Sequence, residues 1–188
     1  MEKINSVIRR NGIIYGVILG VILLILGISL YYYKTKFTES FFMIAVGGDY
    51  IQWLFRVGLA ILFCYNLRKK IGGYWSVRQA TAGIFIMFMV AYVIQFVGRD
   101  LLFEKVIDKN TVINTHTAFT NASQRLLKED GNVAKFNERQ KKIDENYPTV
   151  QKNVSISEAI IGFLMAIIFI FIISLAFAAG FRRELVYI

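Results

Sequence analysis

From Gly12 to Tyr33, and again from Ala159 to Phe181, the chain runs for 22 and 23 residues without one charged side chain. Wound as a helix at about 1.5 Å per residue, either run is long enough to cross a hydrocarbon core of about 30 Å. A buried helix of a water-soluble protein rarely reads this way twice in 188 residues. The sequence is that of an integral membrane protein. Its composition agrees, with 56% apolar residues and only 19% charged, against about 25% in a soluble domain. A single Cys excludes an intramolecular disulfide framework and a cysteine-built metal site. A net charge of +9 would suggest nucleic acid in a soluble protein. Here much of the excess flanks the apolar runs, where basic residues set orientation and meet anionic headgroups. The lipid bilayer, and not nucleic acid, is the expected partner.

Four spans are predicted, at 12–33, 50–67, 79–97 and 156–180. The first follows Lys3, Arg9 and Arg10 and ends in Tyr31-Tyr32-Tyr33-Lys34. It is longer than the apolar core of a signal peptide and lacks a small-residue cleavage site, so it reads as an uncleaved anchor. Its tyrosines belong at headgroup level, with Lys34 and Lys36 in water. The second carries Arg56 near its start, placed to snorkel to the interface, and stops at Arg68-Lys69-Lys70. The stretch 41–49, with Gly47-Gly48-Asp49, reads equally as a loop, a re-entrant break or part of this helix. Gly72 and Gly73 suit the turn to the third helix, and Ser76 its cap. The fourth opens at Ser155 or Ser157 with Glu158 in its first turn and closes at Arg182 and Arg183, a charge order that suits the helix dipole.

Orientation follows from the short flanks. The N-terminal arm, the loop from Arg68 to Arg78 and the tail together carry nine Lys and Arg, whereas the opposite short loop, 34–49, carries two. Long loops cross largely regardless of charge, so both termini are expected in the cytoplasm.

Residues 99–154 form the one sizeable water-exposed part. Arg99 to Val106 is expected to prolong the third helix. Thr111 to Thr120 is β-branched and polar without clear periodicity. Ser123 to Asp130 and Val133 to Tyr147 read as helices parted by Asp130-Gly131-Asn132, the second ended by Pro148. Val133, Phe136, Gln140 and Ile143 recur at helical spacing, a thin apolar stripe for a protein partner or for the bundle's own outer end. The expected fold is all-α: one integral membrane domain, a four-span transmembrane helical bundle with an extracytoplasmic helical hairpin between helices three and four.

Two further groups of residues stand out. Gly12, Gly16 and Gly20 share one face of the first helix; Gly162 with Ala166, and Ala176 with Gly180, give shorter small-residue faces in the fourth. Such faces let helix backbones approach closely in lipid, either between these helices or in an oligomer. Asp49, Arg56, Gln95, Arg99 and Asp100 are the polar groups nearest the membrane. They make either a polar cluster handling an anion or proton, with Arg56 paired to Asp100 or Asp49, or ordinary interfacial snorkelling and bundle cohesion. His116 is expected in solvent, and Cys64 as a small buried or lipid-facing side chain. Asn121-Ala122-Ser123 and Asn153-Val154-Ser155 match glycosylation acceptors, which matter only in a eukaryotic secretory pathway. The sequence carries no phosphate loop, zinc motif or Ser-His-Asp set, no cofactor motif and no filter-like segment.

The run Asn66-Leu67-Arg68-Lys69-Lys70-Ile71-Gly72-Gly73-Tyr74, with Tyr31 to Lys34 before it and Ser76 and Gln79-Ala80 after it, resembles an uncharacterised four-helix inner-membrane family common in the Bacteroidetes and catalogued as a domain of unknown function. The resemblance covers nearly the whole chain. Where that family tends to have an aromatic and then Gly-Glu before the alanine, this chain has Val77-Arg78-Gln79. The resemblance implies the topology, a bacterial origin and a place in the inner (cytoplasmic) membrane, and no activity, cofactor or catalytic residue.

Surfaces without a catalytic set lead to the expectation of a non-enzymatic membrane accessory or assembly protein, acting through contacts in a homo-oligomer or with a membrane-protein partner. The alternative is an oligomeric small-solute or ion carrier or channel-like component, with Arg56 and residues 98–100 near an aqueous entry.

Overall fold

The computed structural model describes residues 2–146 and 156–181. Pro148, Ser155, Arg182, Arg183 and the Asn153 acceptor pattern lie outside the described residues, as do the side chains of Ser157 and Glu158. Among the described residues all regular structure is helical: α1 Glu2–Tyr32, α2 Gly48–Lys70, α3 Val77–Gln95, α4 Thr111–Asp130, α5 Val133–Asn146 and α6 Ile156–Phe181. Wider π-helical winding extends three of them, at Tyr33–Phe37 after α1, Met43–Gly47 before α2 and Phe96–Ile107 after α3.

Four stretches are long and apolar enough to cross a membrane: Ile4–Phe37, Met43–Lys70, Val77–Ile107 and Ile160–Phe181. The first three outrun the spans predicted from the sequence. A helix need not stop where its apolar run stops, because long charged side chains at its ends can reach water or a partner. The doubtful stretch 41–49 is helical, with Ile44 N–H donating to Ser40 O at 3.1 Å and Gly48 N–H to Met43 O. The chain divides into two compact units, whose described residues are 2–24, 56–97 and 156–181 in the first and 25–55 and 98–146 in the second.

In the first unit α1 packs on α3 through glycine. A Cβ added at Gly12 would stand 3.0 Å from Gly83 O, one at Gly16 2.7 Å from Met87 O, and one at Gly20 3.0 Å from Ala91 Cα. Gly83, Met87 and Ala91 are themselves four apart, so the two faces run in step. Gln95 Nε2 donates across the seam to Gly20 O at 2.9 Å, a bond that dry apolar surroundings strengthen. Cys64 is fully buried in the adjoining core with Leu67, Ala80, Ile84 and Met87.

The seam between α6 and α3 is aromatic instead. Phe85 meets Phe171 edge-on at 5.9 Å, Phe88 meets Phe177 at 5.5 Å, and Tyr92 lies 6.0 Å from Phe163. Such pairs add to packing beyond the area they cover. Among the described residues, the small-residue faces expected on α6 are not those it packs within the chain. Gly162 and Gly180 look into open space, Ala176 is exposed and Ala166 half-buried, while Ser174 and Ala178 are buried. Rings on α3 meet rings on α6 at separations that a glycine or alanine would leave empty.

The link from α2 to α3 is set by backbone chemistry. Gly72 and Gly73 adopt φ of 100° and 85°, and Gly73 N–H donates to Arg68 O at 3.0 Å. Ser76 Oγ accepts from Gln79 N–H at 3.3 Å while Gln79 Oε1 accepts from Ser76 N–H at 3.1 Å, a reciprocal cap. Just before it, buried Trp75 donates its indole N–H to Phe181 O at 2.8 Å and ties down the end of α6. A Cβ added at Gly73 would meet nothing within 4 Å, so a substitution there tests the backbone alone. Gly73→Ala should destabilise the protein by about 1–2 kcal/mol, the strain of a left-handed L residue, read as a lowered Tm in detergent.

The second unit has its own small core of Ile44, Phe119, Ala122 and Ile143, flanked by Phe41, Ala45 and Ala118. Residues 111–120, whose sequence has no clear periodicity, belong to one helix with 121–130. Thr115 Oγ donates to Thr111 O at 2.7 Å and Thr111 Oγ to Asp108 O at 2.5 Å, so the hydroxyls are satisfied one turn back. Gly131, at φ 63°, ends α4 with its N–H on Leu127 O at 2.9 Å.

The stripe expected to meet a partner is largely used within the unit. Ile143 is buried, Phe136 is half-buried, and Gln140 Nε2 reaches Thr120 Oγ at 3.4 Å and Asp144 Oδ1 at 3.0 Å; Val133 alone of the four is exposed. His116, expected in solvent, is half-buried on α4 with Nε2 2.8 Å from Asp144 Oδ1 on α5. That hydrogen bond is the main cause holding the Asp144 carboxyl below the ordinary carboxylate value. A depressed folded-state pKa gives stability that is present above the unfolded value and is lost as pH falls through the folded one. Amide exchange along α4 and α5, extrapolated to a common pH, should therefore lose protection on acidification through that range. Asp144→Asn should show the weaker protection already at neutral pH.

Candidate functional site

Three of the long apolar stretches bring charge to a single cavity of about 230 Å³ in the second unit. Lys34 comes from the π-helical turn after α1, Asp49 from the first turn of α2, and Arg99 and Glu104 from the π-helical stretch after α3. Tyr31, Gln52, Thr111 and Thr115 complete its polar lining.

The winding explains the convergence. Thr38 N–H donates to Tyr33 O at 2.9 Å and Asp108 N–H to Phe103 O at 2.8 Å, each a bond five residues back. The extra residue turns every later side chain by about 100° relative to a plain α-helix, so polar residues outside the α-helical stripe can share one wall. Tyr31 braces that wall. Its hydroxyl donates to Asp108 Oδ2 at 2.7 Å and accepts from Asn114 Nδ2 at 3.2 Å, and its ring stands edge-on to buried Phe103 at 5.4 Å.

Within the lining, Lys34 Nζ lies 2.6 Å from Asp49 Oδ1, with 16% of the Lys34 side chain exposed against 63% of Asp49. Arg99 meets Glu104 through Nε at 3.5 Å. Among the described residues this is the one ion pair of Arg99, so its two terminal nitrogens keep the fork that binds a carboxylate through two parallel bonds. The cavity thus presents two cations and two anions. All four stand towards the ends of their stretches, so pairing has a smaller cost to offset than the about 2.5–3.5 kcal/mol of a charge at a helix centre.

The five polar residues singled out in the sequence fall in both units. Asp49 and Arg99 line the cavity, Gln95 is held by Gly20 O in the first unit, and Asp100 is exposed. Arg56 is an exposed residue of the first unit, and the ion pair of Asp49 is with Lys34. Lys34, also expected in water, is mostly buried. Lys34, Gln52 and Glu104 were not singled out, and opposite charges at Arg99 and Glu104, five apart, were the signal that π-helical winding could join them.

Over residues 12–183 the sequence matches a family described as "Protein of unknown function (DUF4199)". The chain belongs to this family. No curated protein and no solved structure matches it. The length matched to the family includes both faces of the α1–α3 glycine seam and every residue of the charged cavity.

Proposed function

We propose that this is a non-enzymatic membrane protein of carrier or channel-like type, and that the cavity of its second unit takes a small zwitterionic solute. The observation behind the reading is the arrival of Lys34, Asp49, Arg99 and Glu104, from three apolar stretches, at one cavity. Ionisable groups in such stretches are expensive and mark solute or ion paths. The cavity volume of about 230 Å³ is below the ~300 Å³ at which pockets for drug-sized ligands begin, which suits a molecule of few heavy atoms. The Arg99 fork and Lys34 suit its carboxylate; Glu104 and Asp49 suit its ammonium. Four spans do not enclose a path by themselves, so the working form in this reading is a homo-oligomer.

The nine basic residues on the N-terminal arm, the Arg68 to Arg78 loop and the tail favour cytoplasmic termini, and the setting in this reading is a bacterial inner membrane. That topology puts Lys34, Asp49 and the α4–α5 hairpin on the extracytoplasmic side. The test is flux of the labelled free amino acid glycine into proteoliposomes, with acetate and methylammonium as single-charge controls. The reading expects saturable glycine flux above both controls. Equal flux of all three, or none above protein-free vesicles, would reject it.

A second reading, an accessory protein acting through protein contacts, is favoured by a separate groove of about 510 Å³ between residues 39–46 and α4. Exposed Phe42 and Val46 form its apolar part beside the Glu39–Arg125 ion pair. Cross-linking from Phe42 or Val46 to a stoichiometric partner in native membranes would favour that reading over transport.

A further inference from the structure

The first unit carries a different cavity, of about 360 Å³, where the beginning of α1 meets the beginning of α3. Its polar lining is Asn5, Arg9, Ser76, Arg78 and Gln79, over a floor of Ile8 and Ala82. Among the residues whose side chains are described it contains no carboxylate. Arg9 and Arg78, from two different helices, form no ion pair among the residues whose side chains are described. The reciprocal cap at the start of α3 already occupies Ser76 Oγ as an acceptor and Gln79 Oε1 as an acceptor. Each oxygen keeps one further lone pair, and towards a ligand Ser76 also offers its hydroxyl hydrogen and Gln79 its amide hydrogens. Two guanidinium groups with no described carboxylate make the cavity positive and rich in donors, and its complement is an oxyanion.

A groove along α1 begins at the same two residues, Asn5 and Arg9, and continues over Arg10, Ile13 and Ile14. Ile13, Ile14 and Val17 are each more than 40% exposed, within the stretch Ile4–Phe37 that is long and apolar enough to cross a membrane. Anion-binding chemistry and an apolar track therefore meet end to end, which is the shape of a phospholipid. We infer that the first unit holds an anionic phospholipid, its phosphate between Arg9 and Arg78 and an acyl chain along Ile13 and Ile14. A lipid of the phosphatidylglycerol class fits better than one of the phosphatidylethanolamine class, because no described acidic side chain of the cavity receives an ammonium. This site is independent of the zwitterion reading of the other cavity and stands if that reading fails.

The test uses the full chain, reconstituted in vesicles of equal phosphatidylglycerol and phosphatidylethanolamine, extracted in mild detergent and analysed by native mass spectrometry. Wild type should retain one phosphatidylglycerol per chain. The double variant Arg9→Gln/Arg78→Gln should retain at least about fivefold less, roughly 1 kcal/mol, below what a charged hydrogen bond contributes and so a minimum. Lys69→Gln/Lys70→Gln removes the same charge from outside the cavity and should retain the lipid as wild type does. If the double arginine variant does not fold, Arg78→Lys keeps the charge, loses the fork and should give an intermediate loss. Equal loss in the arginine and lysine doubles would reduce the effect to general charge and overturn the site. So would retention by every variant, or displacement of the lipid by millimolar inorganic phosphate, which would make the ligand a free anion.

Discussion

Gly16→Leu should leave no folded monodisperse protein in mild detergent, while Gly162→Leu should fold and melt as wild type does. At Gly16 even the first carbon of a side chain would stand 2.7 Å from Met87 O and 2.8 Å from Val90 Cβ. The carbonyl belongs to the backbone of α3 and cannot swing away as a side-chain end would. Overpacking by single methylene groups typically costs about 1–3 kcal/mol, so Gly16→Ala alone should consume a large part of a stability of about 5–15 kcal/mol. Leucine adds three more carbons to the same gap. The helices must part, and the Gln95 to Gly20 hydrogen bond parts with them. At Gly162 nothing lies within 4 Å of the added carbon, and the site is exposed on a helix apolar enough to face lipid. Size-exclusion profiles and thermal unfolding of the two variants, side by side, check the contrast. Equal tolerance at both sites would contradict the seam.

Arg99→Gln should weaken zwitterion binding by about 10- to 150-fold, the equivalent of about 1.5–3 kcal/mol for hydrogen bonds to a charged group. Arg99→Lys keeps the charge and loses the paired geometry, so it should recover part of the affinity but not all. Glu104→Gln should weaken the zwitterion and leave acetate binding no weaker, because it removes the partner of the ammonium alone. Isothermal titration with glycine, acetate and methylammonium reads all three. If every variant changed all ligands in the same proportion, the pairs would be acting only in the fold.

The membrane character and the four long helices were legible because two uncharged runs of more than twenty residues admit little else. The glycine face of α1 was legible as a face, and its partner was hidden by attention to glycine. Gly83, Met87 and Ala91 repeat at the same interval on α3, but a methionine whose backbone does the packing does not announce itself as small. Residues 111–120 were hidden by their threonines. Their hydroxyls bond one turn back and make helix where propensity suggests none, while Phe119 and Ala122 carry the face that packs. The charged cavity was least legible. Asp49 and Arg99 were visible as polar groups near the membrane, but Lys34 and Glu104 passed for ordinary flanking charges. Their meeting depends on π-helical winding, for which plain α-helical periodicity has no register.

Equilibrium dialysis of labelled glycine against the purified wild-type protein at neutral pH, with acetate and methylammonium in parallel, is the sharpest check on the charged cavity. Saturable binding of one glycine per chain is expected, tighter than either single-charge ion and abolished in Arg99→Gln/Glu104→Gln, whose size-exclusion profile stays that of wild type. No saturation up to about 10 mM, an affinity weaker than roughly 3 kcal/mol, or equal binding of the three ligands would refute a zwitterion site.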